Sequence, residues 1–511
     1  MKLINLFMVF CMATFAQAAN KPNIVLIMVD DMGWSDIAPY GAEIIQTPHL
    51  NRLASEGLRF RQFYNNAKCT TTRASLLTGL YPRNGGRGIE LLNDGMVTLG
   101  EGMKLAGYKT GISGKWHNGS RAPHRPYDRG FDQSYGLWDG ACNFFDPAQP
   151  DPKFKGGRIR FYGENDKRIT KFPDDFYTTD AFTDEAVKMI KGFASSGDPF
   201  LVYIPYTAPH YPIHAKPKDI AKYKGKFSLG WDELQKRRYA KAVDIGLIDP
   251  KWKLPPRDPE ANPWAQAKNK GWQNQRMEVY AAMIDCVDQG IGRIMQALKD
   301  VGVDDNTLVL FLSDNGSSAE SPGGENNTAH IPGPKEYYSH VGPSWAHAQN
   351  APFRRYKSRM HEGGIATPLI AHWPGVVPKN TFTDQVGHVI DFLPTFLEMG
   401  GTAYPKKYKG KEVIPVEGMS LLEVFKSPAK TIKRDQSLCW AFAGSRAVRE
   451  DNWKLVWDAR VKNWELYDMA VDRTEMNDLS KVKPEVANRL RTQWENWAKQ
   501  TGVQYKSSKL R

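Results

Sequence analysis

Cysteine is scarce in this sequence: five occur in 511 residues. Cys11 sits in the leading stretch MKLINLFMVFCMATFAQAAN, which leaves Cys69, Cys142, Cys286 and Cys439. Their spacing matches no zinc pattern and is too sparse for a disulfide framework. One Cys142–Cys439 bridge stays open. Cys286 lies in the amphipathic run EVYAAMIDCVDQGIGRIMQAL and reads as a buried core thiol. Beyond the start, no segment is apolar enough to cross a bilayer, so stable membrane insertion is not expected. Low-complexity tracts, internal repeats and nucleic-acid-binding motifs are also missing.

What is present reads as a soluble globular chain, with 41% apolar and 24% charged residues, long enough for more than one domain. Lys2, the apolar stretch Leu3–Phe15 and the small-x-small site Ala16-Gln17-Ala18 predict a signal peptide over 1–18, and hence a secreted protein, periplasmic or extracellular. A net charge of +13 favours polyanionic partners. Export points away from nucleic acid. A sulfated polysaccharide and a generally basic surface fit the charge equally well.

Short apolar runs alternate with helical patterns. NIVLIMV (23–29), PFLVYIPY (199–206), TLVLFLS (307–313) and PLIAHW (368–373) read as buried strands. QTPHLNRLASEGL, with Thr47 as N-cap and Pro48 at the first helical position, reads as a helix, as does TTDAFTDEAVKMIKGFA (178–194). The alternation predicts an α/β fold with a large, mostly parallel, helix-covered sheet.

Reactive residues stand just after these strands. Asp30-Asp31 follow the first, and Asp314-Asn315-Gly316 follow TLVLFLS. Lys115 and His117 follow YKTGIS, and His210 follows PFLVYIPYTAP. In open α/β sheets ligands bind beyond the carboxyl ends of the strands. A lone Asp-Asp or Asp-Asn-Gly is more often a turn than a site; four such strand ends at one edge are not. Asp30, Asp31, Asp314 and Asn315 offer only oxygen, which suits a hard cation, and calcium better than magnesium because it takes more protein ligands in irregular geometry.

The stretch NNAKCTTTRASLLTG then gains meaning. Cys69-Thr70-Thr71-Thr72-Arg73, followed by Ala74-Ser75-Leu76-Leu77 and Thr78-Gly79, resembles the signature of the sulfatase family. This is the formylglycine-dependent, arylsulfatase-like branch of the alkaline-phosphatase-like superfamily. VDDMG, GKWH, TAPH, SDNG, YKSRMHEGG and LYDMAVDRTEMNDLS extend the resemblance over nearly all of the chain after residue 18. It implies that a maturation enzyme oxidises Cys69 to formylglycine, an aldehyde whose hydrate attacks sulfate and later expels it. Thr71 departs from the pattern, since the family usually has Pro or Ala there for recognition by that enzyme.

By resemblance, Asp30, Asp31, Asp314 and Asn315 hold one calcium ion, completed by an oxygen of modified Cys69. Arg73 holds the hydrate. Lys115 and Lys357 bind sulfate, and His117 contacts the hydrate and acts as base. His210 is the general acid for the leaving alcohol. Alternation along an extended chain would put Lys115 and His117 on one side. His214 is a candidate substrate contact; His361 and Glu362 read as structural, with Glu362 fixing the Lys357 turn. The substrate class implied is a sulfate ester, on carbohydrate, with aryl sulfates as artificial substrates. Two alternatives remain: phosphodiester or phosphonate monoester hydrolysis at the same site, and a non-catalytic binder of sulfated glycans if Cys69 stays a thiol.

The domain reading is a signal peptide (1–18), a catalytic domain (19–430) and a small C-terminal α+β subdomain (431–511). SLCWAFA, SRAVRE, NWKLVWD and NWELYDM predict a small antiparallel sheet, closed by a helix over PEVANRLRTQWENWAKQ. Two long connections, 214–275 and 317–351, are candidates for sugar-binding walls with Trp and Tyr stacking on the rings. Asn-x-Ser/Thr sequons fall at Asn118, Asn315 and Asn326, and Asn315 is better explained as a metal ligand.

Overall fold

The computed structural model describes residues 21–83 and 92–505. The predicted signal peptide lies outside the described residues. A ten-stranded sheet organises the chain. Its order is Thr381–Thr383, Leu58–Phe60, Leu369–His372, Thr307–Ser313, Asn23–Val29, Phe200–Pro205, Lys109–Ser113, Gln133–Leu137, Tyr162–Glu164 and Lys167–Ile169. The five strands from Thr307–Ser313 to Gln133–Leu137 are mutually parallel, with antiparallel pairs on either flank.

The central strands are apolar throughout because both faces of the sheet are covered. Along Asn23–Val29, residues Val25, Ile27 and Val29 enter one core while Ile24, Leu26 and Met28 enter another. Helices Pro48–Ser55, Thr178–Ser196 and Lys270–Asp300 cover the first face. Helices Cys69–Thr78, Leu99–Leu105 and Phe392–Met399 cover the second. The helix around Cys286 extends beyond the apolar pattern at both ends, and Pro48 takes the first helical position as expected. Thr47, however, does not cap with its side chain: its hydroxyl accepts from the Ala38 amide and donates to Asn51.

Register places the chemistry. Asn23 pairs with Thr307 and Val29 with Ser313, so Asp30 and Asp314 leave the sheet side by side. On the other side Ile24 to Met28 pair with Leu201 to Pro205, and the Lys109 strand pairs next. All the expected strand ends therefore open on one edge.

Past residue 430, four antiparallel strands in sequential order (Leu438–Phe442, Ser445–Glu450, Trp453–Asp458, Asn463–Asp468) carry the helix Pro484–Thr501. Trp440, Leu455 and Trp464 join the first core, and Trp440 meets Tyr64 with ring centroids 5.6 Å apart. All four described cysteines are free and buried. The Cys142–Cys439 bridge is not formed; the two sit on different elements, Cys142 after strand Gln133–Leu137 and Cys439 in the C-terminal sheet. Among the described residues, no helix is long and apolar enough to cross a membrane.

Candidate active site

Cys69 is the first residue of a ten-residue helix, and every residue of that helix is buried. The loop before it is tied down by its own threonines. The Thr71 hydroxyl donates to the carbonyls of Asn66 and Lys68, both at 2.9 Å, and Thr72 Oγ1 accepts from the Asn66 amide at 2.9 Å. Cys69 thereby stands where unpaired backbone N–H groups favour negative charge.

Two consecutive residues of a strand point to opposite faces. Asp30 and Asp31 nevertheless reach one centre because the strand ends at Val29 and Asp31 turns to φ +64°, a conformation that Asp tolerates better than most residues. His117 uses the same device, at φ +58°. The alternation expected for Lys115 and His117 is therefore not what orients them: the strand stops at Ser113 and the chain bends.

The groups converge. Ligand atoms of Asp30, Cys69 and Asp314 lie within 4.8 Å of one another, as do those of Asp30, Asp31 and His210. Arg73 donates twice to Asp314 Oδ2, at 2.8 and 3.2 Å, and to the Lys115 carbonyl at 2.8 Å. Lys115 pairs with Asp30. Lys357 donates to Asp31 at 2.7 Å, and the Asn315 amide also donates to Asp31 at 2.7 Å. His210 Nε2 is 3.4 Å from Asp31, while its Nδ1 faces the Tyr211 carbonyl.

Burial dominates the electrostatics. It raises Asp30 to about 6, with Asp314 adding to the effect and Lys115 opposing it. Burial also works to raise Asp31, but Lys357 and His210 outweigh it and hold that carboxyl below its ordinary value. It pushes His210 down to about 4, and His117 well below its ordinary value with help from Lys115 and Arg73. Both imidazoles are neutral at pH 7. Gly140 makes room for the His117 ring, since a Cβ there would lie 2.4 Å from it.

Three buried atoms of this centre have no hydrogen-bond partner: Asp30 Oδ1, Asn315 Oδ1 and His117 Nδ1. Buried polar atoms are rarely left so. Oxygens of three carboxylates and an amide in one buried spot fit a hard cation.

The remaining sequence candidates fall elsewhere. His214 is not available to a substrate: its Nδ1 accepts from the Phe144 amide at 3.3 Å and its Nε2 meets the Tyr337 carbonyl at 2.7 Å. Two tryptophans of the 214–275 connection, Trp231 and Trp264, pack on one another and on Trp345, with Trp231 4.6 Å from Trp264 and 5.3 Å from Trp345. Sequence reasoning missed Glu320. It accepts from Lys68 at 2.7 Å and Tyr211 at 2.8 Å, and pairs with Lys357 at 3.1 Å. Lys68 could have been found, because it adjoins Cys69. An isolated Glu in a long polar loop gives no signal.

Glu362, five residues after Lys357, is held by partners distant in the chain. It accepts from Lys454 at 2.7 Å, and from Arg473 and Tyr64 at 2.9 Å. Lys454 also bonds Glu475 at 2.8 Å, whose other oxygen takes the Glu362 amide at 2.8 Å. His361 pairs with Glu465 at 2.7 Å.

Known proteins resemble this chain in sequence and fold. The Sulfatase family model matches residues 22–402, and the one for the C-terminal part of N-sulphoglucosamine sulphohydrolase matches 353–500. An uncharacterized sulfatase of Schizosaccharomyces pombe is 33% identical, with 95% of each chain covered. The arylsulfatase of Klebsiella aerogenes is 32% identical over 84% of this chain and 97% of its own. The crystal structure of Ps i-CgsB with k-i-k-neocarrahexaose superposes with a TM-score of 0.70 at 26% identity, covering 96% of each chain. Fold and site together define a hydrolase of sulfuric esters. The chain belongs to the sulfatase family.

Proposed function

We propose that the chain is a secreted, calcium-dependent sulfatase that removes sulfate from carbohydrates through a formylglycine made from Cys69 by a separate maturation enzyme. Its catalytic unit spans 19–430 and its small C-terminal subdomain 431–511. The observation that carries the reading is the meeting of Asp30, Asp314 and Cys69 in one buried centre whose Asp30 Oδ1 and Asn315 Oδ1 have no partner. Asp30, Asp31, Asp314 and Asn315 would hold the ion, which supplies positive charge against the sulfate. A thiol suits the task poorly, because burial holds Cys69 above its ordinary pKa despite Lys115 and Lys357. The aldehyde hydrate would supply an oxygen nucleophile instead.

The other residues have work that follows from their contacts. Arg73 ties the nucleophile helix to Asp314 and to the Lys115 segment. Lys115 and Lys357 bring two buried ammonium groups to an anionic substrate. His117, neutral and with Nδ1 unpartnered, is the base. Neutral His210 carries its proton on Nδ1 against the Tyr211 carbonyl, leaving Nε2 to take up and deliver a proton. The negative charge of a bound ester raises its proton affinity, which suits a general acid for the leaving alcohol. The +13 charge and the carbohydrate bound by Ps i-CgsB support a glycan substrate.

Mass spectrometry of the Cys69 peptide from protein made in its native host tests the nucleophile. A hydrazone-trappable aldehyde is expected, together with aryl sulfate turnover exceeding aryl phosphodiester turnover. A plain thiol, with glycan binding and no turnover, would sink the enzymatic reading.

A further inference from the structure

The lysines around the site differ in how they are held. Lys115 is held on Asp30, Lys357 on Asp31 and Glu320, and Lys68 on Glu320. The Lys155 ammonium makes no hydrogen bond or ion pair among the described residues. It lies 5.4 Å from the centre of the Tyr211 ring. The side chain is half-buried, and burial lowers its pKa. Tyr211 follows His210 and donates to Glu320, so Lys155 stands one side chain outward from the carboxylate that holds Lys68 and Lys357.

Lys155 ends the short turn Lys153–Lys155. Its neighbour Phe154 is 46% exposed and sets its ring edge-on to Tyr338 at 5.6 Å and His330 at 5.9 Å. A Cβ at Gly323 would come within 3.0 Å of that ring, so the turn leans directly on the 317–351 connection. A cation that makes no direct ion pair, although Glu320 and Asp151 act on it from farther off, lies over one aromatic ring and beside a half-exposed one, and this offers what an acidic sugar needs. The charge meets the acid group and the ring meets the apolar sugar face.

We propose that Lys155 and Phe154 form a second recognition site outside the hydrolytic centre, which takes the acidic group of the sugar unit next to the one being desulfated. The group is an anion, a carboxylate or a further sulfate ester. The proposal deepens the carbohydrate reading above and rests on it.

The test compares wild type with Lys155→Met, which keeps an apolar stem against Tyr211, and with Lys155→Arg. Three probes are used: 4-methylumbelliferyl sulfate, a chondroitin 6-sulfate hexasaccharide bearing carboxylates and sulfates, and a carrageenan oligosaccharide bearing sulfates only. In Lys155→Met, kcat/KM on an acidic oligosaccharide relative to the aryl sulfate falls about tenfold, mostly through KM, and Lys155→Arg restores it. A loss confined to chondroitin assigns a carboxylate; a loss on carrageenan assigns a sulfate. Calorimetric binding of both oligosaccharides to Cys69→Ala protein gives a readout without turnover, with the same tenfold weakening expected. An unchanged ratio and unchanged binding in Lys155→Met overturn the proposal, as does failure of Cys69→Ala protein to bind either glycan. Lys155-dependent binding by a wild type that hydrolyses no sulfate ester would sink the sulfatase mechanism and leave the recognition site standing.

Discussion

Two buried clusters of charge lie within this fold, and they are built differently. In the seam between the Lys357 segment and the C-terminal sheet, both oxygens of Glu362 and both of Glu475 are taken, and Lys454 lies between the two carboxylates. In the active centre, Asp30 Oδ1, Asn315 Oδ1 and His117 Nδ1 have no partner. The difference separates architecture from chemistry. A network whose carboxylate oxygens are all taken fixes a geometry, even with Arg473 Nη2 left unpartnered, whereas carboxylate and amide oxygens left bare side by side leave room for a cation.

The largest expected effect comes from breaking the seam. Lys454→Met leaves two buried carboxylates without their shared cation, at a cost of about 3–5 kcal/mol. Calorimetric unfolding should show it as a large drop in Tm that added calcium does not repair. A loss under about 1 kcal/mol would erase the contrast between the clusters.

Metal should act on the other cluster alone. Relative to chelator-treated protein, calcium at about 100 times its Kd should stabilise wild type by about 2.7 kcal/mol. Lys454→Met should keep that gain and Asn315→Ala should lose most of it. An equal gain in both variants would remove Asn315 from the ion's ligands.

Acid sharpens the comparison further. Burial works to raise Glu362, but Lys454 and Arg473 override it and bring the carboxyl to about 2. An unfolded Glu titrates near 4.3, so its folded pKa is the lower one. Its stabilising effect is complete above about pH 4.3 and is lost as pH falls toward about 2. The stability difference between wild type and Glu362→Gln, read by urea unfolding, should shrink over that range. A constant difference would mean that Glu362 is not charged in the fold.

The smallest effect belongs to the loop before the nucleophile. Thr71→Val removes a hydroxyl that bridges the Asn66 and Lys68 carbonyls and should destabilise by about 1 kcal/mol. No change in denaturant midpoint would leave this threonine without a structural reason.

The legible parts of the molecule are those written locally. Strands buried on both faces read as unbroken apolar runs, so Asn23–Val29 and Thr307–Ser313 stood out, and with them the residues at their ends. The three-residue strands Leu58–Phe60 and Tyr162–Glu164 carry no period long enough to see. The left-handed turns at Asp31 and His117 were invisible for another reason: a backbone angle there is imposed by what surrounds it. Glu362 was recognised as structural, yet its partners Lys454, Arg473 and Glu475 lie about a hundred residues away, and nothing local announces them. His214 shows the converse. A histidine in HYPIHA, close after His210, reads as a candidate substrate contact, but both ring nitrogens are spent on backbone.

The helix that begins at Cys69 is enclosed along its whole length, and Cys69 itself is 2% exposed. An outside enzyme could not draw this segment into its own cleft without undoing the shared core. The proposed conversion of Cys69 therefore belongs to the newborn chain, before the strands on either side have closed over it. For that conversion the fold would act as a deadline: a molecule that packs first would keep its sulfur.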